Sequence, residues 1–411
     1  MGTNEDDREK YDLYTEQVVL HPAKKYKWLI RIGKLLLFAV SVVIATTLFM
    51  VFLYPVLQKR IEEKNKDKNV IYIQKDNYIL ADNQTAEYSD ILTEKDLKDN
   101  YEAAMAALRA KVEDVNKCVV AVDVEQPFSD VPTIESSQTE VAGLVVANVN
   151  STYLVLTSSS LLEPGMNYIV RFSDEVQTEA AFVCRNTASG IGIVSINASK
   201  LTAEQRNSIA VAQLDNSYMV KQGDLVIASG KLYETSKGVS YGTIAGSKVE
   251  YSKDSGYEVF ETSVSITAGG FAILFNSEGN VVGVSKASTD TSSKFIGISD
   301  LKAQIETMIN EHGIMYCGIT GQNVTEELAA KYGLPSGVYI SNVDIDSPAY
   351  YAGLQAGDVI SAINGQSILT IQQFSEKLYQ CESGQQISIT AKRFGGDEYK
   401  DMTFNAVIAV K

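Results

Sequence analysis

The strongest constraint on this chain is the stretch Leu35–Gln58, LLLFAVSVVIATTLFMVFLYPVLQ, which carries no charged side chain over 24 residues. About 20 apolar residues cross a bilayer as a helix. A helix is suited to hydrocarbon because it satisfies every backbone polar group within one segment. A buried core helix of this length would ordinarily keep a polar face. A cleaved leader has a shorter apolar run and a small-residue cleavage site. The stretch therefore predicts one retained membrane-spanning helix over 35–58. Tyr26, Trp28 and Tyr54 lie near its ends, where aromatic rings favour the interface.

Charge alone barely orients that helix. Lys24, Lys25, Lys27, Arg31 and Lys34 precede it without an acid, and Lys59, Arg60, Lys64, Lys66 and Lys68 follow it among Glu62, Glu63 and Asp67. Acids weaken the positive-inside signal little. The short tail 1–34 and the large remainder predict a cytoplasmic N-terminus and an extracytoplasmic bulk. The whole chain carries 36 basic and 51 acidic residues, net −15. A domain that grips phosphates needs the opposite sign, so nucleic acid is excluded as a partner. With 45% hydrophobic and 21% charged residues, the composition also excludes wholesale disorder.

Residues 59–91 are charged and irregular and read as a stalk. Leu97, Tyr101, Met105, Leu108, Val112 and Val115 recur at steps of three and four, which predicts a helix over 92–116 with Thr93 as N-cap. Short apolar runs then follow one another: 118–124, 143–149, 153–158, 168–173, 191–196, 224–230, 271–275 and 281–285. Strands at that spacing predict an all-β barrel or sandwich. A helix is expected at about 299–311, and a smaller α/β module over 313–411.

Cys118, Cys184, Cys317 and Cys381 are widely spaced, with no CxxC pair. Buried free thiols are the favoured reading, and a disulfide in the external compartment is the alternative. The acidic residues show no metal-ligand spacing and no phosphate-cradling glycine loop is present, so no cofactor is expected.

The last module reads YCGITG at 316–321 and YGLPSGVYISNVDIDSPAYYAGLQAGDVISAINGQSI at 332–368, followed by a helix, TIQQFSEKLYQ, at 370–380. The landmarks Ser347-Pro348-Ala349, Ala352-Gly353-Leu354 and Gly357-Asp358-Val359-Ile360 resemble a PDZ domain of the bacterial HtrA type. Such a domain adds a peptide strand to a sheet edge and holds the peptide's terminal carboxylate on loop N–H groups. The resemblance implies that Tyr316, Cys317, Gly318 and Ile319 form that loop, with Gly318 allowing close approach to the anion. Ile371, Phe374 and Leu378 share one face of the following helix. Phe374 and Leu378 are assigned to the core and Ile371 to the last side chain of a peptide. Gly318→Val is expected to block binding and leave the fold intact.

The region 117–311 resembles the trypsin-like domain of the same HtrA/Deg family, which implies a double β-barrel. The family's LTNxHVV-like segment corresponds to Leu156–Leu162, which puts Ser160 where the family has histidine. The DLAVLKI-like strand corresponds to Gly190–Ile196, which puts Gly190 where it has aspartate. The GNSGGPLFNSxGxVIG segment is clear from Leu274 to Gly283. Counting back from it puts Gly270 at the nucleophile, and counting forward from Thr262 gives Phe271.

The chemistry can also be judged without the family. A serine hydroxyl needs an adjacent base. The chain has two histidines, His21 and His312, and none between 117 and 300. A Ser-His-Asp site inside that stretch is therefore impossible. A Ser-Lys dyad is the remaining serine chemistry, and no motif for one stands out. The Gly269-Gly270 pair could keep a remnant oxyanion hole.

The expected fold class is mainly β: a trypsin-like double barrel followed by an α/β PDZ domain and preceded by one transmembrane helix. The expected function is a membrane-anchored pseudoprotease that binds protein C-termini or unfolded polypeptides and acts as scaffold or regulator in extracytoplasmic quality control. HtrA-type subunits are further expected partners, as homo- or hetero-oligomers. The alternative is an active HtrA-type endopeptidase with a non-standard site.

Overall fold

Twelve strands close into two barrels. In the computed structural model, residues 71–76, 94–124, 140–173, 176–233, 237–286, 288–310 and 313–410 are described. The stretch 35–58, Thr93, His21 and His312 lie outside them. Among the described residues no helix is long and apolar enough to cross a membrane.

The first barrel contains β1 (Val119–Val124), β2 (Val141–Val149), β3 (Thr152–Ser158), β4 (Asn167–Ser173), β5 (Val176–Asn186) and β6 (Ile191–Asn197). It closes in the order β1-β2-β3-β6-β5-β4. The second contains β7 (Leu225–Gly230), β8 (Gly238–Ser252), β9 (Ser255–Ile266), β10 (Ala272–Asn276), β11 (Val281–Ser285) and β12 (Ser292–Gly297), in the order β10-β11-β12-β9-β8-β7. Closure leaves no open sheet edge to solvate. The strands that show as apolar runs in the sequence, such as β2, β3, β10 and β11, are buried on nearly every residue. Their shared core includes Val120, Leu144, Leu156, Ile193, Phe271 and Phe275.

A helix, α1 (Glu94–Val115), leads into β1. Leu108 and Val115 are buried, whereas Tyr101 of the periodic set is exposed. Beyond the short helix α2 (Ala203–Ser208), helix α3 (Ile298–Ile309) follows the barrels and is buried along most of its length. Residues 71–76 run along it. Ile71 N–H donates to Asn310 Oδ1 (3.0 Å) and the Ile71 carbonyl accepts from Asn310 Nδ2 (2.9 Å), Ile73 N–H donates to Glu306 Oε2 (2.8 Å), and Lys302 Nζ donates to Asp76 Oδ2 (2.7 Å). This part of the expected stalk is thus tied to the folded body.

The C-terminal module contains β13 (Met315–Tyr316), β14 (Ile319–Asn323), α4 (Glu326–Tyr332), β15 (Val338–Val343), α5 (Pro348–Ala352), β16 (Val359–Ile363), β17 (Gln366–Ser367), α6 (Ile371–Tyr379), β18 (Gln386–Phe394), β19 (Tyr399–Val407) and β20 (Ala409–Val410). Its main sheet runs β14-β15-β16-β18-β19, so β14 is an edge strand within that sheet. Thr370 starts α6 by accepting from Gln373 N–H (3.2 Å). Asp358 is buried at 1% exposure and receives two bonds from Arg393, Nε to Oδ1 (2.7 Å) and a terminal nitrogen to Oδ2 (2.8 Å). All four cysteines are free thiols, with Cys118, Cys317 and Cys381 buried.

Candidate functional site

Two places carry the sequence expectations. At the first barrel, Ser160 lies exposed in the turn after β3, its Oγ 2.8 Å from Ser158 Oγ. Gly190 ends the β5–β6 turn with φ +79°, and its carbonyl accepts from Ser159 N–H (2.9 Å). The Ser160 and Gly190 segments therefore touch. Gly270 precedes β10 in the second barrel and has no room for a side chain. A Cβ there would stand 2.6 Å from Ile266 Cγ2, 2.9 Å from the Thr267 carbonyl oxygen, and closer still to the Lys231 carbonyl. Its N–H donates to Thr267 O (2.9 Å), and Gly269 N–H donates to Ser288 O (3.0 Å). Both amides are thus committed to carbonyls, and an oxyanion hole cannot be drawn from this pair without remodelling the turn. Phe271, the alternative nucleophile position, is fully buried. No imidazole exists among the described residues to serve as base. Among them, too, no group of three His, Cys, Asp or Glu side chains is placed to hold a metal.

The second place is the groove between β14 and α6. Ile371 N–H donates to Asn323 Oδ1 (2.7 Å), and Asn323 Nδ2 donates to Gln372 Oε1 (3.2 Å), which joins the far end of the strand to the start of the helix. At the near end lies the segment 316–319. Tyr316 Oη donates to Asp344 Oδ2 (2.7 Å), and Asp344 N–H donates to Gly318 O (2.8 Å). Gly318 has φ +91°, and a Cβ on it would overlap Ser347. This corrects the expectation that Gly318→Val leaves the fold intact. A β-branched side chain would be strained in the left-handed region and would clash.

Three consecutive amides of that segment converge on one carboxylate. Cys317 N–H donates to Asp254 Oδ2 (2.9 Å), Gly318 N–H to both Asp254 oxygens (2.9 Å each), and Ile319 N–H to Oδ1 (2.8 Å). Asp254 sits in the two-residue turn between β8 and β9, with φ +55°, a conformation that Asp tolerates. Burial pushes its carboxyl up to about 6, against the pull of the three amides. Burial also pushes the Cys317 thiol far up, with the Asp254 charge adding to the effect, so Cys317 is an inert thiol. Burial and the Asp344 carboxylate raise the Tyr316 phenol.

Ile371, Phe374 and Leu378 are all fully buried in one cluster. Ile371 also abuts the hairpin, since a Cβ on Gly256 would overlap its Cγ2. The groove residues named from the sequence thus sit together, whereas Lys253, Asp254 and Gly256 went unnamed. The signal for them was local only: a Lys-Asp-Ser-Gly turn before the alternating run 257–266.

Residues 141–284 match the trypsin-like peptidase domain family, and residues 339–393 match the PDZ domain family. A probable periplasmic serine endoprotease DegP-like from Pseudomonas putida is 26% identical over 270 residues, 63% of this chain and 55% of that protein. One of the same description from a Marinomonas species is 25% identical over 293 residues, 69% of this chain and 61% of that protein. The chain thus spans little more than half the length of such relatives. Among solved structures, the HtrA-type protease AlgW with decapeptide aligns at a TM-score of 0.51 and 20% identity, covering 74% of this chain and 98% of that one. AlgW with tripeptide aligns at 0.52 and 21%, covering 74% and 97%. At these identities the likeness is one of fold. Together the matches define a trypsin-like double barrel with a C-terminal PDZ domain. The chain is similar in sequence to DegP-like serine endoproteases and in fold to HtrA-type proteases.

Proposed function

We propose that this protein is a membrane-anchored, catalytically silent HtrA-type homologue whose PDZ groove recognises protein C-termini or exposed strands on the extracytoplasmic side. One observation carries the recognition half. The amides of Cys317, Gly318 and Ile319 point at a single carboxylate, the arrangement a peptide terminus requires. AlgW was solved with a decapeptide and with a tripeptide, which fits a peptide ligand here. The silent half is supported by the lack of histidine between 117 and 300 and by the crowded backbone at Gly270. The anchor rests on the uncharged stretch 35–58, and the location outside the cytoplasm on the periplasmic description of the relatives. A role in protein quality control follows from recognising chain ends and exposed strands near a membrane.

The test uses the full chain in detergent. It should leave unfolded casein intact at every pH from about 5 to 9, because no histidine lies between 117 and 300 to serve as base. It should also resist labelling by a fluorophosphonate. Turnover that survives removal of contaminating proteases would overturn the silent assignment and favour an endopeptidase with a non-standard site. Peptides with a free terminal carboxylate should bind better than their amides. Equal binding of the two would overturn the carboxylate-loop assignment.

A further inference from the structure

We propose that the tip of the β8–β9 hairpin is an intramolecular ligand of the PDZ groove, and that a peptide C-terminus binds only by displacing it. The inference rests on the peptide-binding reading above and goes on to say what occupies the site before a peptide arrives.

The hairpin meets each requirement of a strand-addition ligand. Along the strand edge, Asp254 N–H donates to Ile319 O (2.8 Å), and Lys253 stands opposite Thr320 in an antiparallel bridge. At the anion nest, the Asp254 side chain supplies the carboxylate, and its two oxygens take four N–H contacts from three residues. Over the helix, Gly256 lies against Ile371 without a side chain, and Ser255 Oγ is 3.1 Å from Ser375 Oγ. Beside the nest, Lys253 Nζ is 2.5 Å from Asp344 Oδ2, the oxygen that also receives Tyr316 Oη. Asp254 is only 4% exposed, so the nest is closed to a second anion.

Two carboxylates cannot share three amides. Each needs the same donors, and two like charges at that separation repel. Occupation by Asp254 and by a peptide terminus is therefore mutually exclusive. The hairpin is also tethered, so it competes at a high effective concentration. A free peptide then binds with an affinity reduced by the fraction of molecules whose groove is open. Release does not require the barrel to open. The base of the hairpin pairs from Ile244 with Thr262 down to Tyr251 with Gly256, and β9 is held on its other side by β12.

Two variants of the full chain test this. Asp254→Asn keeps the left-handed turn and removes the charge. Gly256→Val leaves Asp254 in place and drives a side chain into Ile371. The first readout is hydrogen exchange at the amides of Cys317, Gly318 and Ile319. Both variants should lose protection there while the strands of both barrels keep theirs. The second readout is anisotropy with a labelled decapeptide that ends in an apolar residue with a free carboxylate, alongside its C-terminal amide. Both variants should bind the free-carboxylate form about ten-fold or more tightly than the unaltered chain, the factor expected if the groove is open in a tenth of molecules or fewer. Unchanged protection in both variants overturns the assignment of the hairpin as internal ligand. Lost protection with an affinity equal to that of the unaltered chain overturns the competition. Lost protection with no peptide binding by any form overturns the peptide-binding reading instead.

Discussion

Asp300 is the residue whose charge state the fold alters most clearly. Its carboxylate accepts from Glu258 N–H (2.5 Å) and from Tyr218 Oη (2.6 Å), yet burial pushes it up to about 7. Burial also raises the Glu258 carboxyl beside it. An unfolded carboxyl titrates near about 4, so the folded chain holds an extra proton on Asp300 between about pH 4 and 7. Stability contributed this way is present at low pH and lost as pH rises through that window. Asp254 acts with the same sign between about 4 and 6. The melting temperature should therefore be higher at pH 5 than at pH 8. Asp300→Asn should raise it at pH 8 and flatten the profile, because the amide can donate to Tyr218 Oη while accepting from Glu258. A steeper profile in that variant would contradict the assignment. Gly270 gives a second test. Gly270→Ser crowds the Lys231 and Thr267 carbonyls and should cost about 1–3 kcal/mol in denaturant unfolding without creating hydrolysis.

The elements differ in how plainly the sequence announces them. The strands β1, β2, β3, β6, β10 and β11 show as apolar runs because both of their faces are buried. The strands β5, β8, β9 and β12 make no continuous apolar run, because they mix polar residues on exposed positions with apolar residues on buried ones. Two of them, β8 and β9, carry the tip that fills the groove. Helix α3 falls where the sequence places a helix, at about 299–311, but the segment 71–76 along it carries no such signal, since its backbone is held by the side chains of Glu306 in α3 and of Asn310 at its end. Asn310→Ala should remove both bonds to Ile71 and cost about 1–3 kcal/mol. Limited proteolysis should then cut near residues 71–76 before either barrel is touched. In the PDZ domain, Arg393→Leu leaves the buried Asp358 carboxylate without its bidentate partner. It should cost about 3–5 kcal/mol. A loss below about 1 kcal/mol would mean that Asp358 is held by its remaining bond from Gln355 N–H.

For the molecule as a whole, the proposed anchor over 35–58 predicts that protease added to intact cells removes residues 59–411 and spares the tail. Full protection of the bulk would reverse the orientation. Much of the architecture could be read directly from local pattern. Short apolar runs mark barrel strands, the glycine and proline landmarks after 332 mark a PDZ domain, and the missing histidines remove the usual base. These are short-range or compositional properties, which a linear reading can see. Where Asp254 goes is a different kind of fact. It lies 64 residues before Gly318 in the chain, and nothing near it in sequence describes an anion nest. Its arrival there depends on the length of a hairpin, on the docking of one domain against another, and on a glycine at 256 that lets the two approach. The sequence alone marked out the groove as a candidate site, and only the tertiary structure decided that the chain's own carboxylate fills it, because that contact is made by packing between domains and not by any local pattern.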